Sequence, residues 1–452
     1  MAQELHVVML PWSAFGHMIP FFHLSVALAK SGVRVSFVST PRNIQRLPQI
    51  PPNCANLMQF VEFSLPTLDN ELLPKGAEAT VDIENDKIPY LKIAYDLLQH
   101  PFRRFVAQQR PDWIIIDLIP HWAAQIAIEH KVPLMHFSVF SAATYTFFAH
   151  PDCLSDDGKK KLRPSWKSMT SKPVWVDFPS AIVLRNHEAF GTYQAIYEEN
   201  ASRISDAERV RQINHRYHAM AIRSCPQFEG EYIDLYQKIT GKPVVPVGLL
   251  PSEKPEKAEV TSGSWDEIFK WLDDQKPKSV VFVGFGSEYK LSKDQVYEIA
   301  YGLELSALPS GFAERTNQRG KVCLGWAPQL EILGHSSIGG SLFHSGWGSA
   351  IETLQFGHCL VLLPFIIDQP LNARLLVEKG LGVEVERDGD GSFNRHGIAK
   401  ALKLAMISEE GQTLRSRARE ASSIFGDSKL HNEHYIGKFV EFLRDKTHLK
   451  KL

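Results

Sequence analysis

The chain has 452 residues, 44% of them hydrophobic and 22% charged, and a formal net charge of −1. That length exceeds what one hydrophobic core organises, so two or three domains are expected in an ordinary globular protein. A charge near zero excludes a polyelectrolyte partner such as nucleic acid.

The N-terminal MAQELHVVMLPW lacks a basic segment followed by an apolar one, so no signal peptide is read there. LHVVMLPW (5–12) is a continuous apolar run and predicts a buried strand. SAFGH follows as a tight loop, MIPFFHLSVALAKSG shows helical spacing and stops on Gly, and VRVSFVST (33–40) predicts the next strand. This order is a right-handed βαβ unit, the start of a doubly wound sheet whose loops after the strands face a ligand. His17 stands in such a loop, where the helix N-terminus lowers the imidazole pKa and keeps it neutral, as a general base requires. VDIENDKIPYLKIAYDLLQ (81–99) reads as a helix. The pattern repeats with a strand at 113–117 that ends on Asp117, at the same sheet edge as His17, and a helix begins near 121. A carboxylate there can orient an imidazole and stabilise its protonated form. Read alone, either residue is also compatible with a helix cap.

MHFSVFSAATYTFFAHP (135–151) predicts a strand leading into an aromatic-rich helix. Trp122, Phe137, Ser141, Tyr145 and Phe148 are candidate walls of an apolar pocket, with core packing the alternative for each. KKKLRPSWK (159–167) reads as a solvated loop, and the Asn200-Ala-Ser202 sequon as helix surface. AMAIRSCPQFEGEYIDLYQKITGKPVVPVGLL closes the first half with strand, helix and strand.

PSEKPEKAEVTSGS (251–264) has no periodicity and reads as a linker. WDEIFKWLDDQ is amphipathic, SVVFVGFGS (279–287) predicts a buried strand opening a second βαβ series, and 297–306 a helix. In the stretch from Trp326 to Gln369 the residue types suit a nucleotide carrying a sugar. An indole at Trp326 can stack on a base. The turn of His344, Ser345, Gly346, Gly348 and Ser349 offers amides and hydroxyls at a helix start, where an anion is favoured. Glu352 lies on the same helix face as Ser349 and can bridge ribose hydroxyls, and Asp368 and Gln369 follow the apolar run CLVLLPFII at a strand's ligand end. NARLLVEKGLGVEVE (372–386) is helix and strand, and two further helices end the chain. The five cysteines, Cys54, Cys153, Cys225, Cys323 and Cys359, are scattered without a CxxC, and the apolar runs are too short for a bilayer. Both features predict a soluble cytosolic, cytoplasmic protein with no membrane segment.

The 44 residues Trp326–Gln369, W-x-P-Q…H-x-G-W-x-S…E…D-Q, resemble the donor-binding box of the plant family-1 UDP-glycosyltransferases. One departure is Gly348, where that family usually has Asn. The resemblance implies an α/β GT-B fold, two doubly wound Rossmann-like domains facing across a cleft. Residues 1–250 would bind the acceptor, 265–429 the donor beyond a linker at 251–264, and a helix in 430–452 would return to the first domain. It implies an inverting transfer with His17 as base and Asp117 orienting it. The donor would meet Ser287, Trp326, Ala327, Gln329, His344, Trp347, Gly348, Ser349, Glu352, Asp368 and Gln369, with no metal and no cofactor, the UDP-sugar being a co-substrate. Gln369 resembles glucose-using members, and the branch resembled extends a sugar on a terpenoid or flavonoid glycoside; UDP-rhamnose is the alternative donor. The chain is expected to act as a monomer. The family's strand after the 297–306 helix has no counterpart, so roughly twenty residues are expected to be absent between Ser306 and Leu308. A nucleotide-sugar sensor without turnover is a competing class. An NAD-dependent dehydrogenase would need GxGxxG, but GFGSEY has Tyr289 in place of the third Gly, and no GxSxG of a serine hydrolase occurs.

Overall fold

The computed structural model describes residues 5–69, 71–154, 162–252, 265–306, 320–323, 325 and 327–448. Its contacts divide the chain into two compact units: Met1–Met169, Gly191–Leu250 and Lys429–Leu452 form one, and Thr170–Phe190 with Pro251–Ser428 the other.

The first unit is built on β1 (His6–Leu10), β2 (Arg34–Ser39), β3 (Met58–Glu62), β4 (Trp113–Ile116), β5 (Leu134–Ser138), β6 (Ala219–Ile222) and β7 (Val244–Pro246). They pair in parallel in the order β3-β2-β1-β4-β5-β6-β7. Helices over both faces leave such strands no wet side, which is why HVVML and WIII are apolar throughout and buried. The order reverses at β1, which has β2 on one side and β4 on the other. Leu10 and Ile116 are register partners, so the loops that leave β1 and β4 start side by side at the switch point of the sheet.

Between β3 and β4 the structure corrects the expected 81–99 helix. Only Ile88–Asp96 is α-helical there, after short turns at Thr80–Asp82 and Asn85–Lys87, and a separate helix runs Gln99–Gln109. Pro89 explains the late start, because proline is tolerated in the first turn of a helix and not inside it.

The second unit carries β8 (Val280–Gly284), β9 (Ile338–Phe343), β10 (Cys359–Leu362) and β11 (Gly382–Glu384), parallel in the order β11-β10-β9-β8. The expected absence of a strand between Ser306 and Leu308 falls on 307–319, outside the described residues, as do 253–264 of the linker. Among the described residues no helix is long and apolar enough to cross a membrane.

The expected first domain, 1–250, needs a correction. Thr170–Phe190 belongs with the second unit, and the reason is ionic. Glu188 accepts two hydrogen bonds from Arg374 at 2.7 and 2.8 Å, Arg185 pairs with Glu384 at 3.0 Å, and Ala181 N–H donates to Glu378 at 2.6 Å. From Lys429 the chain lies with the first unit. There Ile436, Phe439 and Leu443 join the core, and Trp113 Nε1 donates to the Leu443 carbonyl at 3.0 Å.

Candidate active site

His17 is the third residue of the Phe15–Lys30 helix, and Asp117 follows β4 directly. Because those segments leave the sheet at its switch point, residues a hundred positions apart meet: His17 Nδ1 lies 2.8 Å from Asp117 Oδ2. The carboxylate is 1% exposed and also accepts Trp12 N–H on Oδ2 at 3.0 Å and Leu118 N–H on Oδ1 at 2.7 Å. Burial pushes the Asp117 carboxyl up, but His17 and the hydrogen bonds from Trp12 and Leu118 outweigh it and hold the group below the usual carboxylate range. An ionised Asp117 only accepts, so Nδ1 of His17 carries the hydrogen and Nε2 presents its lone pair. Sequence reasoning missed Phe140, whose ring meets the imidazole edge-on at 5.4 Å and limits its rotation. It sits two residues beyond β5, and only the sheet order brings it to His17.

The five pocket-wall candidates fare differently. Phe137 and Ser141 are 0% exposed. Phe137 packs on Phe21 at 4.8 Å, and Ser141 caps the Ala142–Phe148 helix by accepting Thr144 N–H. Both side chains are enclosed in the core, the alternative weighed for each: Phe137 stands on β5, an interior strand with both faces covered, and Ser141 is the helix cap three residues beyond it. Trp122 and Tyr145 are buried against Phe102 and Tyr236. Phe148 keeps partial exposure.

In the second unit the turn after β9 carries the phosphate-site candidates. Ser345 adopts a left-handed backbone, φ 67°, and Gly346 caps the Trp347–Leu354 helix, whose first-turn amides point into the turn. Gly348 is the second residue of that helix. His344 is gripped by two glycines: a Cβ on Gly286 would come 2.8 Å from its ring, and one on Gly346 2.5 Å. Gly286 belongs to the loop after β8, and the pairing of Gly284 with Phe343 brings that loop, including Ser287, against the turn. Burial pushes the His344 imidazole down to about 4, so it is neutral at pH 7. Its Nδ1 and the Ser345 hydroxyl are buried without a hydrogen-bond partner among the described residues. Such atoms are costly unless something fills the turn.

Gln329 reaches the next turn of the same helix, its Nε2 lying 3.3 Å from Ser349 Oγ and 2.6 Å from Glu352 Oε2. Trp347 is buried, and Ala327 packs beside a small apolar cluster. Trp326 lies outside the described residues. At the end of the stretch the Gln369 carbonyl is already engaged, accepting Phe365 N–H at 2.9 Å and Ile366 N–H at 3.1 Å. Only its NH₂ remains for a ligand. Sequence reasoning also missed the Tyr289–Phe365 stack, at 4.2 Å, which ties the loop after β8 to the segment before Asp368.

Comparison with known proteins places this arrangement. The family described as UDP-glucoronosyl and UDP-glucosyl transferase matches residues 272–431. UDP-glycosyltransferase 91C1 of Arabidopsis thaliana is 40% identical over 98% of this chain and 97% of its own length. Soyasaponin III rhamnosyltransferase of Glycine max is 38% identical over 98% of this chain and 96% of its own. The fold is that of Glycyrrhiza uralensis UGT73P12, solved with glycyrrhetinic acid 3-O-monoglucuronide, at a TM-score of 0.79, 22% identity and coverage of 99% and 97%. Arabidopsis thaliana UGT89C1 with UDP-L-rhamnose superposes at 0.73, with 21% identity and coverage of 98% and 100%. With a relative that similar across nearly its whole length and the GT-B fold around its paired His17 and Asp117, the chain belongs to the plant family-1 UDP-glycosyltransferases and is a glycosyltransferase enzyme.

Proposed function

We propose that the enzyme moves glucose from UDP-glucose, with inversion, onto a sugar hydroxyl of a terpenoid or flavonoid glycoside. The observation that carries the mechanism is the 2.8 Å pairing of His17 with a buried, ionised Asp117. His17 Nε2 takes the proton of the acceptor hydroxyl as its oxygen attacks the anomeric carbon. The bond from that carbon to the β-phosphate oxygen breaks, and UDP leaves with the electron pair. Asp117 stabilises the imidazolium that results. Charge developing on the β-phosphate meets the amides opening the Trp347–Leu354 helix, the Ser349 and Ser287 hydroxyls and neutral His344. Gln329 aligns Glu352 for the ribose, while Asp368 and the amide of Gln369 address the sugar.

Gln369 supports glucose as the donor. UDP-rhamnose is the second reading, favoured by the similarity to a soyasaponin rhamnosyltransferase. Sugar-on-sugar transfer is supported by that relative and by Mogroside IIIx synthase of Siraitia grosvenorii, 33% identical over 92% of this chain. We place the enzyme in the cytoplasm, in keeping with five free cysteines, and as a monomer, since one chain carries both the base and the donor box.

The test is UDP release from UDP-glucose and from UDP-rhamnose over a panel of glycosides and their aglycones. Release with glycosides only is expected. His17→Ala should lower kcat/KM by about 10²–10⁴, the usual worth of a general base, while UDP affinity holds. Donor binding without turnover in the unaltered enzyme would favour the sensor reading.

A further inference from the structure

Asp368 and Ser345 belong to different segments of the donor stretch, one at the sugar end and one in the phosphate turn. A single side chain touches both. Asn372, 0% exposed in the Gln369–Glu378 helix, has its Nδ2 2.7 Å from Asp368 Oδ2 and 3.2 Å from the Ser345 carbonyl oxygen. Both facing atoms are acceptors, so the amide orientation is fixed: the NH₂ spends one hydrogen on each, and the reversed amide would set three oxygens together.

The two bonds act on different parts of the ligand site. Ser345 holds a left-handed backbone that a non-glycine residue adopts at a cost. In a trans peptide the carbonyl and the following N–H point in opposite directions. With the Ser345 carbonyl pinned toward Asn372, the Gly346 N–H is aimed the other way, at the mouth of the helix that receives the phosphate. The second bond fixes one carboxylate oxygen of Asp368, and with it the plane of the group proposed to bind the sugar.

We infer that Asn372 is a positioning residue that sets the phosphate turn and the sugar-binding carboxylate together, so that diphosphate and sugar affinity both depend on one buried amide. The inference rests on the donor reading proposed above and deepens it.

Titration calorimetry with UDP and with UDP-glucose tests it. Asp368→Ala should weaken UDP-glucose and leave UDP unchanged, because UDP carries no sugar. Asn372→Ala should weaken both by tenfold or more, and Asn372→Ser, which keeps one donor, should fall between. At saturating acceptor the donor KM should rise in the two Asn372 variants by more than kcat falls, a split that general loosening would not give. Urea midpoints near that of the unaltered enzyme identify variants that fold; if Asn372→Ala does not, Asn372→Ser carries the comparison. Unchanged UDP affinity in a folded Asn372 variant overturns the inference. Failure of the unaltered enzyme to bind UDP overturns the donor reading instead.

Discussion

β1 and β8 open the two units in the same way, each a Val-rich strand followed by a loop that supplies site residues, yet they are held differently. β1 has a neighbour on each side and is buried at all five positions. β8 pairs with β9 alone among the described residues and is half-exposed at all five. The sites follow suit. In the first unit Asp117 is fixed by two main-chain N–H groups and one imidazole before any ligand arrives. In the second, the turn after β9 depends on His344 lodged between two glycines and holds two buried polar atoms with no hydrogen-bond partner among the described residues. Enclosure on both sides preorganises a catalytic group through the backbone. A turn beside a half-open strand is completed by what it binds, so UDP should stabilise the second unit by mass action.

The sharpest way to break this contrast is to remove what holds the second unit's excursion in place. Glu188 and Arg374 have side chains 5% and 8% exposed. Glu188→Ala removes one of two carboxylates from a buried guanidinium, which keeps Glu384 at 3.2 Å, and should cost about 1.5–3 kcal/mol in urea unfolding. The Lys400–Glu386 pair, 69% exposed on both sides, is the control; its removal should cost about 1 kcal/mol or less. Equal effects would mean that the excursion is not anchored ionically.

Acid provides a second separation. Burial pushes His6, His23 and His136 of the first unit each down to about 4, from the ordinary 6.5 of an imidazole, as it does His344 and His358 of the second. These groups are neutral when folded, while the unfolded chain takes up their protons near 6.5. The unfolded state therefore binds more protons, and stability falls as pH drops from 6.5 toward 4. The urea midpoint should decline through that window, and limited proteolysis should open the first unit earlier. A flat profile would show that these imidazoles are hydrated in the fold.

The parts of this molecule that could be read from its sequence are those whose signal is local. HVVML and WIII announce strands buried on both faces, and the segments that follow them locate His17 and Asp117 at one edge. The Trp326–Gln369 stretch carries its own spacing. What escaped depends on distant partners. Glu188 looks like a solvated helix charge until Arg374, 186 positions on, is seen beside it. Asn372 reads as a solvated amide near a helix start, and its contact with the Ser345 carbonyl appears only when that turn is folded against it. Phe137 and Phe148 are indistinguishable as aromatics; an interior strand buries the first, while the second ends a short helix.

The smallest effect concerns Gly348, where the family usually has asparagine. Its position in the first turn of the Trp347–Leu354 helix gives the anion a backbone N–H and no side chain. Gly348→Asn adds an amide at that turn and removes a residue that weakens helices by about 0.5–1 kcal/mol relative to alanine. A net hydrogen bond is worth about 0.5–1.5 kcal/mol, so UDP should bind roughly two- to tenfold tighter. The gain should appear with UDP as well as UDP-glucose, because the contact is to phosphate. An improvement confined to UDP-glucose would assign the new amide to the sugar instead. Weaker binding of both would show that the turn uses the space glycine leaves, with the backbone N–H already carrying the phosphate.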